Sequence, residues 1–175
     1  GSCRQTTGDF MFFMESLDNW QTFTSDSAVF SDGDTGWIHI VTTTAYSGSG
    51  NITNKMYVDG DLITANQAGM NSGGLSESNA ASFDTGCNLF IGSSNNDGTP
   101  GTGAVGKMDD FAIWDTLLGD DDIEVIYNLG KPFDLNTNKG NYDNASALQG
   151  YWKMFNGPFD DKIQGVVHDA RNPGY

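Results

Sequence analysis

The chain has 175 residues, which suits one ordinary domain with a short extension. Its abundance of Gly, Asn, Asp, Ser and Thr is typical of short strands joined by tight turns, and it favours an all-β fold. The formal net charge of -15 argues against nucleic acid and anionic membrane surfaces as partners. Neutral glycans, cations and basic protein surfaces remain.

The sequence has no apolar run approaching the ~18 residues that a membrane span needs, and its start lacks the layout of a signal peptide. Cys3 and Cys87 are the only cysteines. A disulfide between them and two free thiols both stay open, because only the fold decides whether their Cα atoms approach within about 7 Å.

Strands dominate the predicted elements of the first half. β-Branched and aromatic runs predict them at 10–17, 21–24, 28–30, 37–44, 52–57 and 62–64. Asp59-Gly60 between two apolar runs predicts a tight hairpin. Alternation places Trp37, His39 and Val41 on one face of their strand, and we expect Trp37, like Trp114, to be a core residue. His39 is expected to be a hydrogen-bonded core histidine.

Loops and one helix mark the second half. Residues 65–86 and 93–106 are polar and Gly-rich and predict two long loops on either side of a strand at 87–92. A further strand is predicted at 107–114 and another at 148–155. Between them, Asp120-Asp121-Asp122 followed by apolar residues at helical spacing predicts one short helix near 120–129, with the aspartates capping its first turn.

Five of these segments occur in an order that resembles the concanavalin A-like laminin G family. They are Trp37-Ile38-His39-Ile40, Tyr57-Val58-Asp59-Gly60, Leu89-Phe90-Ile91-Gly92, Gly106 to Trp114, and the helix from Leu118 to Tyr127. The resemblance implies an antiparallel two-sheet jelly-roll sandwich. It predicts a laminin G-like domain at 1–133, an Asn-rich linker at 134–147, and a C-terminal strand and loop at 148–175.

The sequence departs from the family pattern at its N-terminal strands. In the family these strands precede the Trp-x-His strand. In this sequence the segment that resembles them, Gly150 to Met154, follows the helix instead. Two interpretations stay open: the C-terminal strand completes the sandwich, or it begins a second copy. Residues 126–130, 134–135 and 151–154 also resemble modules of tailed-bacteriophage structural proteins, which implies a capsid-decoration or tail protein on a virion surface.

An enzyme of this superfamily would need two carboxylates ~5–5.5 Å apart, one as nucleophile and one as acid/base. Glu15, Glu77 and Glu124 are isolated in the sequence, and a strand would point Asp109 and Asp110 to opposite faces. The sequence therefore predicts a non-catalytic protein.

Two oxygen-rich positions are candidate cation sites. In the resembled family the aspartate at the position of Asp109 often holds Ca²⁺ together with backbone carbonyls, which suits a hard cation. The alternative is a carboxylate that caps a neighbouring loop. Asn95, Asn96 and Asp97 form a second oxygen cluster, for which an ordinary turn is the alternative.

The same Asn95-Asn96-Asp97 loop and the aromatic residues Trp20 and Trp152 are the predicted contacts to a glycan or a protein partner, with core packing as the alternative for the tryptophans. Two functions follow. One is a virion surface protein, oligomeric or part of a large assembly, that contacts other structural proteins or adheres to host glycans. The other is a free carbohydrate-binding module or adhesin of a secreted or cell-surface bacterial protein.

Overall fold

The computed structural model describes residues 2–4, 8–16, 19–31, 36–47, 51–69, 91, 93–96, 99–103, 107–131 and 133–153. The chain divides into two compact units, Gly1–Ala104 and Val105–Tyr175. In the described residues of the first unit every paired strand is antiparallel, and the same holds for the second.

The first sheet of unit 1 has four strands in the order β1-β2-β3-β7. These are β1 (Ser2–Arg4), β2 (Asp9–Ser16), β3 (Asn19–Ser25) and β7 (Ala65–Gly69). Gly8 precedes β2 with a φ of 73°, and its carbonyl oxygen accepts from the amides of Val29 and Phe30. A Cβ at Gly8 would lie 1.9 Å from the Phe30 carbonyl oxygen, so only glycine fits this close approach.

The second sheet of unit 1 contains β4 (Ile40–Ser47), β5 (Asn51–Val58) and β6 (Asp61–Ile63), with β5 in the centre. Successive side chains of a strand point to opposite faces. Met56 and Tyr57 of β5 are both fully buried, so both faces of this sheet are covered.

The two loops predicted in unit 1 contain strands. The first begins with β7, which pairs with β3, and the rest of it from residue 70 lies outside the described residues. In the second, β8 (Ser93–Asn96) and β9 (Thr99–Gly103) form a hairpin. The loop predictions were wrong here, because ladder pairing uses backbone groups and proceeds even where side chains have low strand propensity.

Unit 2 contains β10 (Phe111–Trp114), the helix α1 (Asp120–Tyr127) and β11 (Leu148–Trp152). β11 pairs antiparallel with β10. Its buried apolar residues come from the helix, from β11 and from the connections on either side of the helix: Leu118, Ile123, Ile126, Leu135, Tyr142, Leu148 and Tyr151. No helix in the described part of the chain is long and apolar enough to cross a membrane.

The structure confirms the predicted all-β antiparallel class and the short helix predicted near 120–129. The helix ends at Tyr127, where Asn128 takes the left-handed conformation that commonly closes helices. The predicted strand at 107–114 is shorter than expected and starts at Phe111, because Asp110 has a φ of 50° and cannot continue a strand. The predicted strand at 87–92 falls almost wholly outside the described residues.

Candidate functional site

Asp109 and Asp110 lie immediately before β10 and bind different groups. The Asp109 carboxylate accepts from the Asp110 amide at 3.1 Å. The Tyr151 hydroxyl, on the neighbouring strand β11, donates to Asp110 Oδ1 at 2.9 Å and lies 3.3 Å from the Phe133 carbonyl oxygen. Since the hydroxyl has one proton, the shorter contact is the main hydrogen bond.

This environment keeps the Tyr151 hydroxyl protonated. Burial raises the pKa of Tyr151 well above its usual value, and the negative charge of Asp110 raises that pKa further. A hydroxyl with a raised pKa is a fixed hydrogen-bond donor, not a base at neutral pH. The arrangement therefore ties the residue before β10 to β11.

The candidate calcium site at Asp109 stays a prediction. Asp109 is half-buried, and one of its oxygens already accepts a backbone hydrogen bond. Among the described residues no group of three or more His, Cys, Asp or Glu side chains is placed to hold a metal ion. Any calcium here would depend on backbone carbonyl oxygens for most of its ligands.

The aspartates at the start of α1 include one with a clear structural role. Asp122 is buried, and its Oδ2 accepts from the Gly119 amide at 2.9 Å, which caps the helix. The Asn144 side-chain amide donates to both Asp122 oxygens at 3.0 Å. Asp120 and Asp121 are exposed beside a shallow concavity that Asn141 also lines. The predicted capping by this aspartate run is confirmed at Asp122.

A second internal network of unit 2 joins β10 to the connection between α1 and β11. Trp114 Nε1 donates to the Tyr142 hydroxyl at 3.0 Å, and that hydroxyl donates to the Leu135 carbonyl at 2.9 Å. Tyr142 is fully buried. Trp114, which was expected to be a core residue, is only partly buried, but its indole N–H has a hydrogen-bond partner.

The predicted glycan contacts are dispersed over several elements. Asn95 and Asn96 lie in β8, and Asp97 lies outside the described residues. Trp20 lies in β3, but its side chain is also outside the described part. Trp152 is half-buried against Phe111, with ring centroids 5.8 Å apart. The contact role of these five residues stays a prediction.

Trp37 is the residue that sequence reasoning misplaced. Its side chain is 66% exposed, so the expectation that it belongs to the core was wrong. The strand begins only at Ile40, so the alternation that put Trp37 on a buried face does not extend to it. No signal in the sequence separates a tryptophan inside a strand from one three residues before its start.

The nearby His39 is fixed through its backbone to the Asp59-Gly60 turn. The His39 amide donates to Asp59 Oδ1 at 2.9 Å, and the Asp59 amide donates to the His39 carbonyl at 2.9 Å. Asp59 and Gly60 both have positive φ, at 52° and 87°, which is the pattern of the predicted two-residue hairpin. Burial lowers the pKa of the His39 imidazole, although the Asp59 carboxylate opposes that effect.

Comparison with known proteins gives one match. The family model described as the concanavalin A-like lectin/glucanases superfamily, of the laminin G type, matches residues 4–124. No curated protein and no solved structure matches the chain.

Proposed function

The chain belongs to the laminin G-type concanavalin A-like superfamily, and we propose that it is a non-catalytic recognition module. In this proposal the module lies on the surface of a virion and binds neutral glycans of the host. Members of such a fold serve as carbohydrate- or protein-binding modules, and the family match over residues 4–124 is the observation that carries the proposal. The net charge of -15 favours neutral over acidic glycans as the ligand, because the chain repels polyanions.

The non-catalytic part of the proposal is supported by how the carboxylates of unit 2 are used. Asp122 binds a helix amide and Asn144, and Asp110 accepts from a tyrosine hydroxyl whose pKa is raised. A retaining glycosidase instead needs one free nucleophilic carboxylate facing a protonated one. The contacts of Asp122 and Asp110 stabilise the fold, and they give no support to a hydrolytic role.

Binding is tested with the purified chain on an array that contains neutral and acidic glycans, with and without EDTA. We expect binding to neutral glycans only, and no release of reducing ends from a neutral polysaccharide incubated with the chain. A loss of binding in EDTA would support calcium at Asp109, and Asp109→Asn should then reproduce that loss. Turnover of any polysaccharide, or binding to acidic glycans alone, would refute the proposal.

The virion location is supported by the resemblance of residues 126–130, 134–135 and 151–154 to phage structural modules. It implies an oligomer or a large assembly, with other structural proteins as further partners. The test is the native mass of the particle that contains the chain. We expect a particle in the megadalton range. A free monomer or small oligomer would instead indicate a secreted or cell-surface adhesin.

A further inference from the structure

Several exposed groups lie at one end of the three-stranded sheet β4-β5-β6. β4 begins at Ile40 opposite Val58, and the Asp59-Gly60 turn then leads into β6 at Asp61. Trp37, three residues before β4, is therefore at the same sheet end as this turn. The paired hydrogen bonds between His39 and Asp59 hold the two segments together there. We call this region the hairpin end, defined by residues 36–39 and 59–62.

The hairpin end carries exposed apolar surface and an exposed carboxylate. Trp37 is 66% and Leu62 55% exposed, and Asp61 beside the turn is exposed as well. A Cβ at Gly36 would meet no atom within 4 Å, so the space next to Trp37 is open. A large aromatic ring that is mostly in solvent is available to stack on a ligand.

The size of this surface decides which ligand it fits. An aromatic side chain contributes ~150–250 Å² of surface, so the exposed part of Trp37 is on the order of 100–160 Å². A stable protein interface needs about 800 Å² from each partner. The exposed indole falls far short of that area. One face of a pyranose ring, in contrast, is about as large as an indole.

We propose that Trp37 is the stacking platform for one neutral sugar residue. This inference rests on the proposed glycan recognition and assigns it to a site. The C–H groups of one pyranose face lie on the indole, where their burial and dispersion contacts stabilise the complex. The carboxylates of the hairpin end and the charge of -15 repel uronic and sialic acids.

The test compares four proteins: the unaltered chain, Trp37→Ala, Trp37→Phe and Leu62→Ala. The probes are laminarin, mannan and xylan as neutral polysaccharides, and polygalacturonate as the acidic one. Stacking on an aromatic ring is worth ~1–3 kcal/mol where alanine replacement has measured it, so Trp37→Ala should weaken neutral binding by about tenfold or more. Trp37→Phe should keep most of the affinity, and Leu62→Ala should bind like the unaltered chain.

Acrylamide quenching of tryptophan fluorescence gives a second readout. The difference between the unaltered chain and Trp37→Phe isolates the emission of Trp37, and the neutral glycan should shield that emission from acrylamide. If Trp37→Ala binds as well as the unaltered chain, the platform is refuted and the recognition function remains. If the unaltered chain binds none of the neutral probes, the platform and the proposed glycan recognition both fail.

Discussion

The hairpin end of unit 1 and the helix region of unit 2, which we define as residues 110–131 and 133–151, contain similar residues but use them in opposite ways. In the helix region, Asp122 and Tyr142 are buried and bonded to backbone groups, and the Trp114 indole N–H donates to Tyr142. At the hairpin end, Asp59 also binds a backbone amide, but Trp37 remains exposed. Composition therefore does not separate a scaffold from a site in this chain; the exposure of the aromatic ring does.

Within the helix region, we expect the largest loss of stability when Asp122 is replaced. Asp122→Ala removes the acceptor of the Gly119 amide and leaves the Asn144 amide without its carboxylate. A lost cap and a buried group left unsatisfied should together lower the free energy of unfolding by about 3 kcal/mol. Urea denaturation of the variant measures this change.

The neighbouring Asp121 provides a matched control for Asp122. It occupies the same first turn of α1 and is exposed. Asp121→Ala loses only a favourable interaction with the helix dipole, for which we expect about 0.5 kcal/mol. Equal effects of the two substitutions would show that charge at the helix start, and not the buried cap, stabilises this region.

A smaller effect is expected at Tyr142. Tyr142→Phe keeps the buried ring but leaves both the Trp114 indole N–H and the Leu135 carbonyl without their partner. The expected loss of stability is about 2 kcal/mol, measured by the same urea titration. A loss below about 0.5 kcal/mol would mean that water replaces the hydroxyl, so that the network is not the rigid scaffold inferred for the helix region.

These networks also show what the sequence could and could not predict. The helix over 120–127 was predictable because acidic capping and apolar spacing are local signals, and so was the Asp59-Gly60 turn. The bond from Trp114 to Tyr142 joins residues 28 positions apart and leaves no local pattern. Burial of Trp37 was predicted from alternation, and the prediction failed because the strand starts at Ile40.

The Asp59 position tests whether the hairpin end is as well ordered as the helix region. Asp59 has a φ of 52°, and its carboxylate accepts from the His39 amide. Asp59→Ala should cost about 1.5 kcal/mol, because alanine loses that hydrogen bond and is disfavoured in the left-handed region. Asp59→Asn keeps both the acceptor and the turn preference, so it should stay within about 0.5 kcal/mol of the unaltered chain.

The outcome at Asp59 also bears on Trp37. If Asp59→Ala lowers glycan affinity while Asp59→Asn does not, the turn positions the segment that carries Trp37. If Asp59→Ala destabilises the fold and leaves glycan affinity unchanged, the turn is structural only.

The smallest expected effects are those of pH, and they have opposite directions in the two regions. Folding raises the pKa of Tyr151 above its ordinary value of 10.0, so the folded chain holds this proton more tightly than the unfolded chain. The resulting stability is complete below pH 10 and decreases as the pH rises above it. Folding lowers the pKa of His39 below 6.5, so stability that is complete above pH 6.5 decreases as the pH falls.

Thermal unfolding measured from pH 5 to pH 11 distinguishes these contributions by their slopes. Tyr151→Phe should reduce the decline above pH 10, where Tyr142, whose pKa is also raised by burial, accounts for the remainder. It should leave the acid side unchanged, whereas His39→Gln should flatten only the decline between pH 6.5 and pH 5. Asp134 does not interfere, because its backbone hydrogen bond lowers its pKa below 3.8, outside the range scanned. If the stability of His39→Gln still declines between pH 6.5 and pH 5, protonation of His39 does not destabilise the folded chain. The hairpin end would then differ from the helix region, where ionisation of Tyr151 does.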